Sequence, residues 1–178
     1  SSVAEHAVHL WSNNNFSGSN TIERNLVVNC DRGIGIWNGR GSNTIRNNMI
    51  TSDGSGAFPD VGIDIQNTPA VRVYNNTVWI APDGYYAAME FRDATSTGLY
   101  IVNNLVNKQI NLFNGASGTV SSNNENAQSS WFVSTGTGDL HLQSSVSVVV
   151  NAGLAVSDIT NDFDGEPRTG AVDIGADE

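Results

Sequence analysis

The chain has a single cysteine, Cys30, a single lysine, Lys108, and four prolines in 178 residues. With no second cysteine there is no intramolecular disulfide. With no Cys or His neighbours Cys30 is not a zinc ligand, and a buried structural thiol is expected. No apolar run approaches the roughly 20 residues that span a bilayer, and no signal peptide opens the sequence. It begins at Ser1, so a mature, trimmed or truncated product is expected. Positive charge is scarce: 8 Lys and Arg against 18 Asp and Glu leave a net charge of −10. Without a basic patch, nucleic acid and anionic membrane surfaces are excluded as partners. The acidity suits a secreted protein or a calcium binder, and more simply solubility. A sustained 3.6-residue apolar stripe is also missing, and glycines and β-branched pairs fall throughout, which rules out a helical fold.

What the sequence does have is 18 glycines and abundant Asn, Ser and Thr, a turn-rich β composition. It also repeats. Thr21–Val27 (Thr-Ile-Glu-Arg-Asn-Leu-Val) recurs as Thr44–Ile50, Arg72–Val78 and Tyr100–Val106, with an asparagine at 25, 48, 76 and 104. A β-branched residue stands three before each asparagine (Ile22, Ile45, Val73, Ile101) and another two after it (Val27, Ile50, Val78, Val106). Between these copies lie alternating quartets: Val8–Trp11, Ile34–Trp37, Ile63–Gln66, Met89–Arg92 and Ile110–Phe113. Period two places the first and third residues on one face and the second and fourth on the other.

Two short strands per coil, joined by a tight Asn turn and a longer loop, cannot bury their apolar face alone, whereas stacked coils can. The expected fold is all-β, a right-handed parallel β-helix of about five to six coils with a C-terminal capping segment. A Greek-key sandwich does not account for two interleaved, aligned repeats. Parallel strands ~4.8 Å apart set Ile22 over Ile45, Val73 and Ile101, and Ile36 over Ile65, Phe91 and Leu112. The asparagines are expected to stack amide on amide and to bond turn backbone. Residues 1–124 form the coils, and 125–178 the last coil and cap of the same domain. Val120–Asn123 is a weak fifth copy, Asp139–Gln143 a further strand, and Val146–Val150 a strand or the start of the cap. An exposed first coil favours association with further coils of a longer parent chain or with a second copy.

The Ile-x-x-Asn-x-Val and Gly-Ile-x-Ile coils resemble the right-handed β-helix repeats of pectate-lyase-like proteins. The ending, Gly138-Asp139-Leu140-His141-Leu142, Asn151-Ala152-Gly153, Asp162–Arg168 and Asp173–Glu178, is similar to the tail of bacterial exported β-helix proteins, including those with a choice-of-anchor domain. This implies a secreted or cell-surface bacterial protein. The resemblance departs at Ser144–Val148, where such tails carry a Ser-Gly-Ser-Pro-Ala turn, and no stretch matches the catalytic motifs of pectate lyases or polygalacturonases.

Stacked quartets place His9, Gly35, Asp64, Glu90 and Asn111 in one outward column and Trp11, Trp37, Gln66, Arg92 and Phe113 in the next. Rings, acids and an arginine side by side suit a saccharide, whose C–H faces stack on aromatic groups while its hydroxyls bond to charged ones. Asp64 and Glu90, on adjacent coils, either raise one pKa, as in glycoside hydrolysis, or share Ca²⁺. Arg92 pairs with an acid or neutralises a uronate. Tyr85 and Tyr86 wall the same face from the preceding loop. Asp53, Asp60 and Asp83 lack the spacing of a calcium loop. The sequons at Asn15 and Asn75 are weak patterns, and His6, His9 and His141 are too scattered for a metal triad. No cofactor is required, with Ca²⁺ the possible exception. Polysaccharide recognition is the leading expectation. A polysaccharide lyase or glycoside hydrolase using Asp64, Glu90 and Arg92 comes second, and a structural or adhesive spacer third.

Overall fold

The computed structural model describes residues 5–54, 59–143 and 146–178. The first coil is β1 (His6–Ser17), β2 (Asn20–Glu23) and β3 (Leu26–Val28); the second is β4 (Arg32–Arg40), β5 (Asn43–Arg46) and β6 (Met49–Ser52). The third is β7 (Ile63–Gln66), β8 (Arg72–Tyr74) and β9 (Thr77–Ile80), and the fourth β10 (Ala87–Arg92), β11 (Leu99–Val102) and β12 (Leu105–Val106). A partial fifth coil holds β13 (Gln109–Leu112) and β14 (Gly118–Ser121). Corresponding strands pair in parallel into sheet A (β1-β4-β7-β10-β13), sheet B (β2-β5-β8-β11-β14) and sheet C (β3-β6-β9-β12). The protein is an all-β parallel β-solenoid. Among the described residues no helix is long and apolar enough to cross a membrane.

Two expectations change. Each coil has three strands, because the seven-residue repeat bends sharply at its asparagine and divides between sheets B and C. The coils number four and a partial fifth, because beyond Asn124 the chain leaves the stack for a 3₁₀ turn at Ser129–Trp131 and an antiparallel hairpin of β15 (Phe132–Ser134) and β16 (Asp139–Leu142).

The register is the expected one. Ile22, Ile45, Val73, Ile101 and Val120 align through sheet B, and Leu10, Ile36, Ile65, Phe91 and Leu112 through sheet A. Ile36, Ile45, Ile65, Val73, Phe91 and Ile101 are fully buried, each stabilising the stack by about 1.5–3 kcal/mol. The end coils close less well: Val120 is 44% exposed and Leu10 only half-buried. Cys30 is also half-buried, at the margin of this core rather than inside it.

The turn between sheets B and C uses two residues for two purposes. Arg24, Asn47, Asn75, Asn103 and Ser122 take positive φ, between 47° and 57°, a conformation asparagine tolerates better than most residues. The residues that follow, Asn25, Asn48, Asn76, Asn104 and Asn123, form a continuous ladder in which each Nδ2 donates to the next Oδ1 at 2.9 Å. Asn75 is buried and bonded to tail backbone, which leaves its sequon no room for a glycan.

Where sheet packing is tightest only glycine fits. A Cβ on Gly33 would lie 2.2 Å from the Gly62 carbonyl oxygen of the next coil. Gly33→Ala is expected to lower stability by about 3 kcal/mol through forced separation of β4 from β7. Urea denaturation read by far-UV circular dichroism measures this loss, and an unchanged midpoint would contradict the packing.

The tail does more than cover the last coil. It runs back along the turn side of the stack, held at Leu154 by Asn103, at Asn161 by Asn47, and at Asp173 and Gly175 by Asn75. It reaches the first coil, where Arg24 donates to the carbonyls of Phe163 and Asp164. A second core of Phe132, Leu140, Val149, Ile174 and Ala176 closes over Met49 and Leu105 on the outside of sheet C. Residues 147–150 form a turn in this cap rather than a strand; Ser144 and Ser145 lie outside the described residues.

Candidate functional site

The outer face of sheet A gathers every residue expected there. His9, Gly35, Asp64, Glu90 and Asn111 are neighbours in successive strands, as are Trp11, Trp37, Gln66 and Arg92. Phe113 follows β13, with the Arg92 guanidinium 5.6 Å above its ring. β7 and β10 end at the second column, where Asn67 and Asp93 take positive φ and turn the chain away, whereas β1 and β4 continue past a register shift to Ser17 and Arg40.

The two acids are buried: Asp64 and Glu90 are each only 2% exposed, and each has its own donors. The Trp37 indole N–H donates to Asp64 Oδ2 at 2.9 Å, and the Gln66 amide donates to the same oxygen at 2.9 Å. The Tyr85 hydroxyl donates to Glu90 Oε1 at 3.0 Å and Arg92 Nη2 to Oε2 at 2.7 Å. Burial pushes the Asp64 carboxyl up to about 6; the bonds from Gln66 and Trp37 and the charge of Arg32 oppose this, and the neighbouring Glu90 adds a smaller upward push. Around the acids is a cleft of about 120 Å³, lined in part by Arg32, Asp60, Tyr85 and Arg92.

Asp64 holds its proton more tightly folded than in the unfolded chain, where a carboxyl titrates near roughly 3.9. The native state therefore binds the extra proton between about pH 4 and pH 6, and wild-type stability falls as pH rises through that window, with no further loss above it. Asp64→Asn removes this penalty, while Gln66 can turn its amide to match. The variant is expected to be more stable than wild type at neutral pH by on the order of 1 kcal/mol, the advantage vanishing near pH 4. Urea titrations at both pH values measure it; a pH-independent difference would sink this account.

No protein-family model matches the chain, and neither do the curated proteins or the solved structures. The site rests on its own geometry.

Around the acids the aromatic groups form two banks. On one side His6 and His9 stack at 4.0 Å, Trp37 meets His9 edge-on at 4.4 Å, and Trp11 is 53% exposed. On the other, Tyr85 and Tyr86 lie 4.5 Å apart and Tyr86 meets Phe113 edge-on at 6.3 Å. Gly35 makes room for the first bank, since a Cβ there would come within 2.8 Å of the His6 ring. Burial, His9 and Arg32 pull the His6 imidazole down to about 4, so it is neutral at neutral pH.

Sequence reasoning missed Arg32, His6 and Lys108. Arg32 pairs with Asp60 at 2.8 Å and Glu5 at 3.3 Å, so Asp60 is a salt-bridge partner rather than a calcium ligand. Lys108 donates to the carbonyls of Ala81 at 2.6 Å, Tyr85 at 2.8 Å and Gly84 at 3.1 Å, fixing the loop that carries both tyrosines. Its being the chain's one lysine was the available signal.

Calcium suits the Asp64–Glu90 pair poorly. Their oxygens already accept from an indole, an amide, a phenol and a guanidinium, whereas Ca²⁺ takes roughly six to eight oxygen ligands. Among the described residues Asp53, Asp60 and Asp83 form no cluster with metal-ligand spacing either. Among the described residues the cluster with metal-ligand spacing is His141, Asp164 and Asp177, whose ligand atoms lie within 4.8 Å of one another. There His141 sits between Asp139 at 2.6 Å and Asp164 at 2.9 Å. Burial opposes the imidazolium, but bonds to Asp139 and Asp164 outweigh it and raise its pKa, and the contact with Asp164 ties the hairpin to the tail.

Proposed function

We propose that the chain is a module of an exported bacterial β-helix protein that recognises an extracellular polysaccharide along the outer face of sheet A. The observation that carries this reading is the pair of preset acids on adjacent coils, each oriented by its own donors, between two banks of aromatic rings. Sugar C–H faces stack on Trp11, Trp37 and Phe113, and hydroxyls find Asp64, Glu90 and Arg92 at the cleft. Because the donors hold their geometry before any ligand arrives, little side-chain freedom remains to be lost on binding. The tail's likeness to those of bacterial exported β-helix proteins supports the cellular setting.

One observation favours a second reading, a glycoside hydrolase or polysaccharide lyase. With a pKa near 6, Asp64 keeps a usable protonated fraction close to neutral pH, as a general acid requires, beside a second carboxylate.

A glycan-array screen of the folded chain, with and without calcium, tests both. Binding lost in Trp37→Ala and in Asp64→Asn/Glu90→Gln supports the sheet A face, and reducing-end and unsaturated-uronate assays on the captured glycan then separate enzyme from binder. Binding that survives both variants moves the site elsewhere. No binding by folded protein leaves a structural or adhesive solenoid.

A further inference from the structure

The outer face of sheet B carries a cavity of about 630 Å³, larger than the sheet A cleft and within the range of small-ligand sites. Its floor is Arg72 and Tyr74 of β8 and Tyr100 of β11, Tyr100 lying directly across from Arg72. Its wall is tail segment 155–158. That segment is bolted at both ends. At one, Asn103 grips Leu154 twice, donating to its carbonyl at 2.7 Å and accepting from its N–H at 2.9 Å. At the other, Arg72 meets the Asp158 carboxylate at 3.0 Å, Arg46 donates to the Asp158 carbonyl, and Ile159 packs against Tyr74 and Val102. The cleft is therefore preformed and needs no closing motion.

Two features point to a ligand. Tyr74 lines the cavity and is only 3% exposed, and its hydroxyl, which is not among the sealed side-chain atoms without a partner, keeps contact with solvent and is open to a ligand in the cavity. Tyr100, held edge-on to Tyr74 at 5.5 Å, remains 37% exposed and presents its ring to the opening. The two ionic groups lining the cavity, Arg72 and Asp158, neutralise each other, so the cleft offers no net charge to an anion or cation.

We propose that this cleft binds a neutral saccharide unit, with a sugar face on Tyr100 and a hydroxyl accepting from Tyr74. The inference comes from the cleft's own chemistry and stands whether or not sheet A binds a glycan. The test is an amide NMR titration of the full chain with cellotetraose, xylotetraose, mannotetraose and maltotetraose, with tetragalacturonate as acidic control. At least one neutral tetrasaccharide is expected to shift the amides of Tyr74, Tyr100 and Ser157. Tyr74→Phe, which keeps the ring and hence the packing, should weaken binding about three- to tenfold, the effect of one hydrogen bond, and Tyr100→Ala by about tenfold. Trp37→Ala should leave this titration unchanged, separating it from sheet A. The proposal is overturned if no neutral tetrasaccharide moves these amides, if tetragalacturonate binds them equally well, or if both tyrosine variants bind like wild type.

Discussion

Asn76→Ala is expected to destabilise the fold by about 4 kcal/mol, the largest single-residue effect proposed for this chain. Asn76 is fully buried at the middle of the ladder. Its Nδ2 donates to Asn104 Oδ1 at 2.9 Å and to the carbonyls of Tyr74 at 2.9 Å and Ile45 at 3.0 Å, while its Oδ1 accepts from the Asn48 amide at 2.9 Å and backbone at 3.1 Å. Truncation removes a bond from all five partners where water cannot reach and leaves the Asn48 backbone N–H unpaired. The Asn48 amide keeps the Ile22 and Arg46 carbonyls, Asn104 Oδ1 keeps the Asn76 N–H, and the Tyr74 carbonyl keeps the Asn47 N–H. The loss is therefore the unsatisfied N–H, about 1–3 kcal/mol, plus the weakened network around it. The same change at Asn25, in the half-exposed first coil, should cost only about 1 kcal/mol because solvent replaces the lost partners. Urea denaturation of both variants decides the matter. Equal losses would mean that the ladder acts as independent turns rather than as one buried network.

Arg92→Ala is the second large effect. It removes the charged partner of Glu90, whose side chain is 3% exposed, and leaves Tyr85 as its remaining donor. Breaking a buried pair typically costs about 3–5 kcal/mol, but the Arg92 side chain is 39% exposed, so about 2 kcal/mol is expected. Adding Glu90→Gln should recover most of that loss, since an uncharged amide tolerates the same burial. A double-mutant cycle by denaturation reads the coupling. If Glu90→Gln rescues nothing, the ion pair is not what makes Arg92 matter, and its packing over Phe113 is. In either case glycan capture by sheet A should fall with Arg92→Ala, because the guanidinium both orients Glu90 and edges the cleft.

Much of this was legible in the residues. Ile36 over Ile65 over Phe91, Asp64 beside Glu90, and the asparagines at 25, 48, 76 and 104 all followed from period-two alternation combined with parallel stacking, where neighbouring coils place equivalent residues side by side. Such a rule needs only spacing along the chain. It could not tell whether Asp64 and Glu90 meet solvent, because that depends on Trp37, Gln66, Tyr85 and Arg92 folding back over them.

By itself, then, the sequence determined the solenoid, its register and the residues that share the outer face of sheet A, since each is set by a short repeating pattern. Tertiary structure alone decided the burial of the two acids, the anchoring of the tyrosine loop by Lys108 and the path of the tail. Asn47, Asn75 and Asn103 look like their ladder neighbours in sequence, yet a positive φ turns each outward to hold a segment 51 to 114 residues away. Contacts over that distance carry no periodic signal, and they form only once the coils have stacked and presented a surface for the tail to bind.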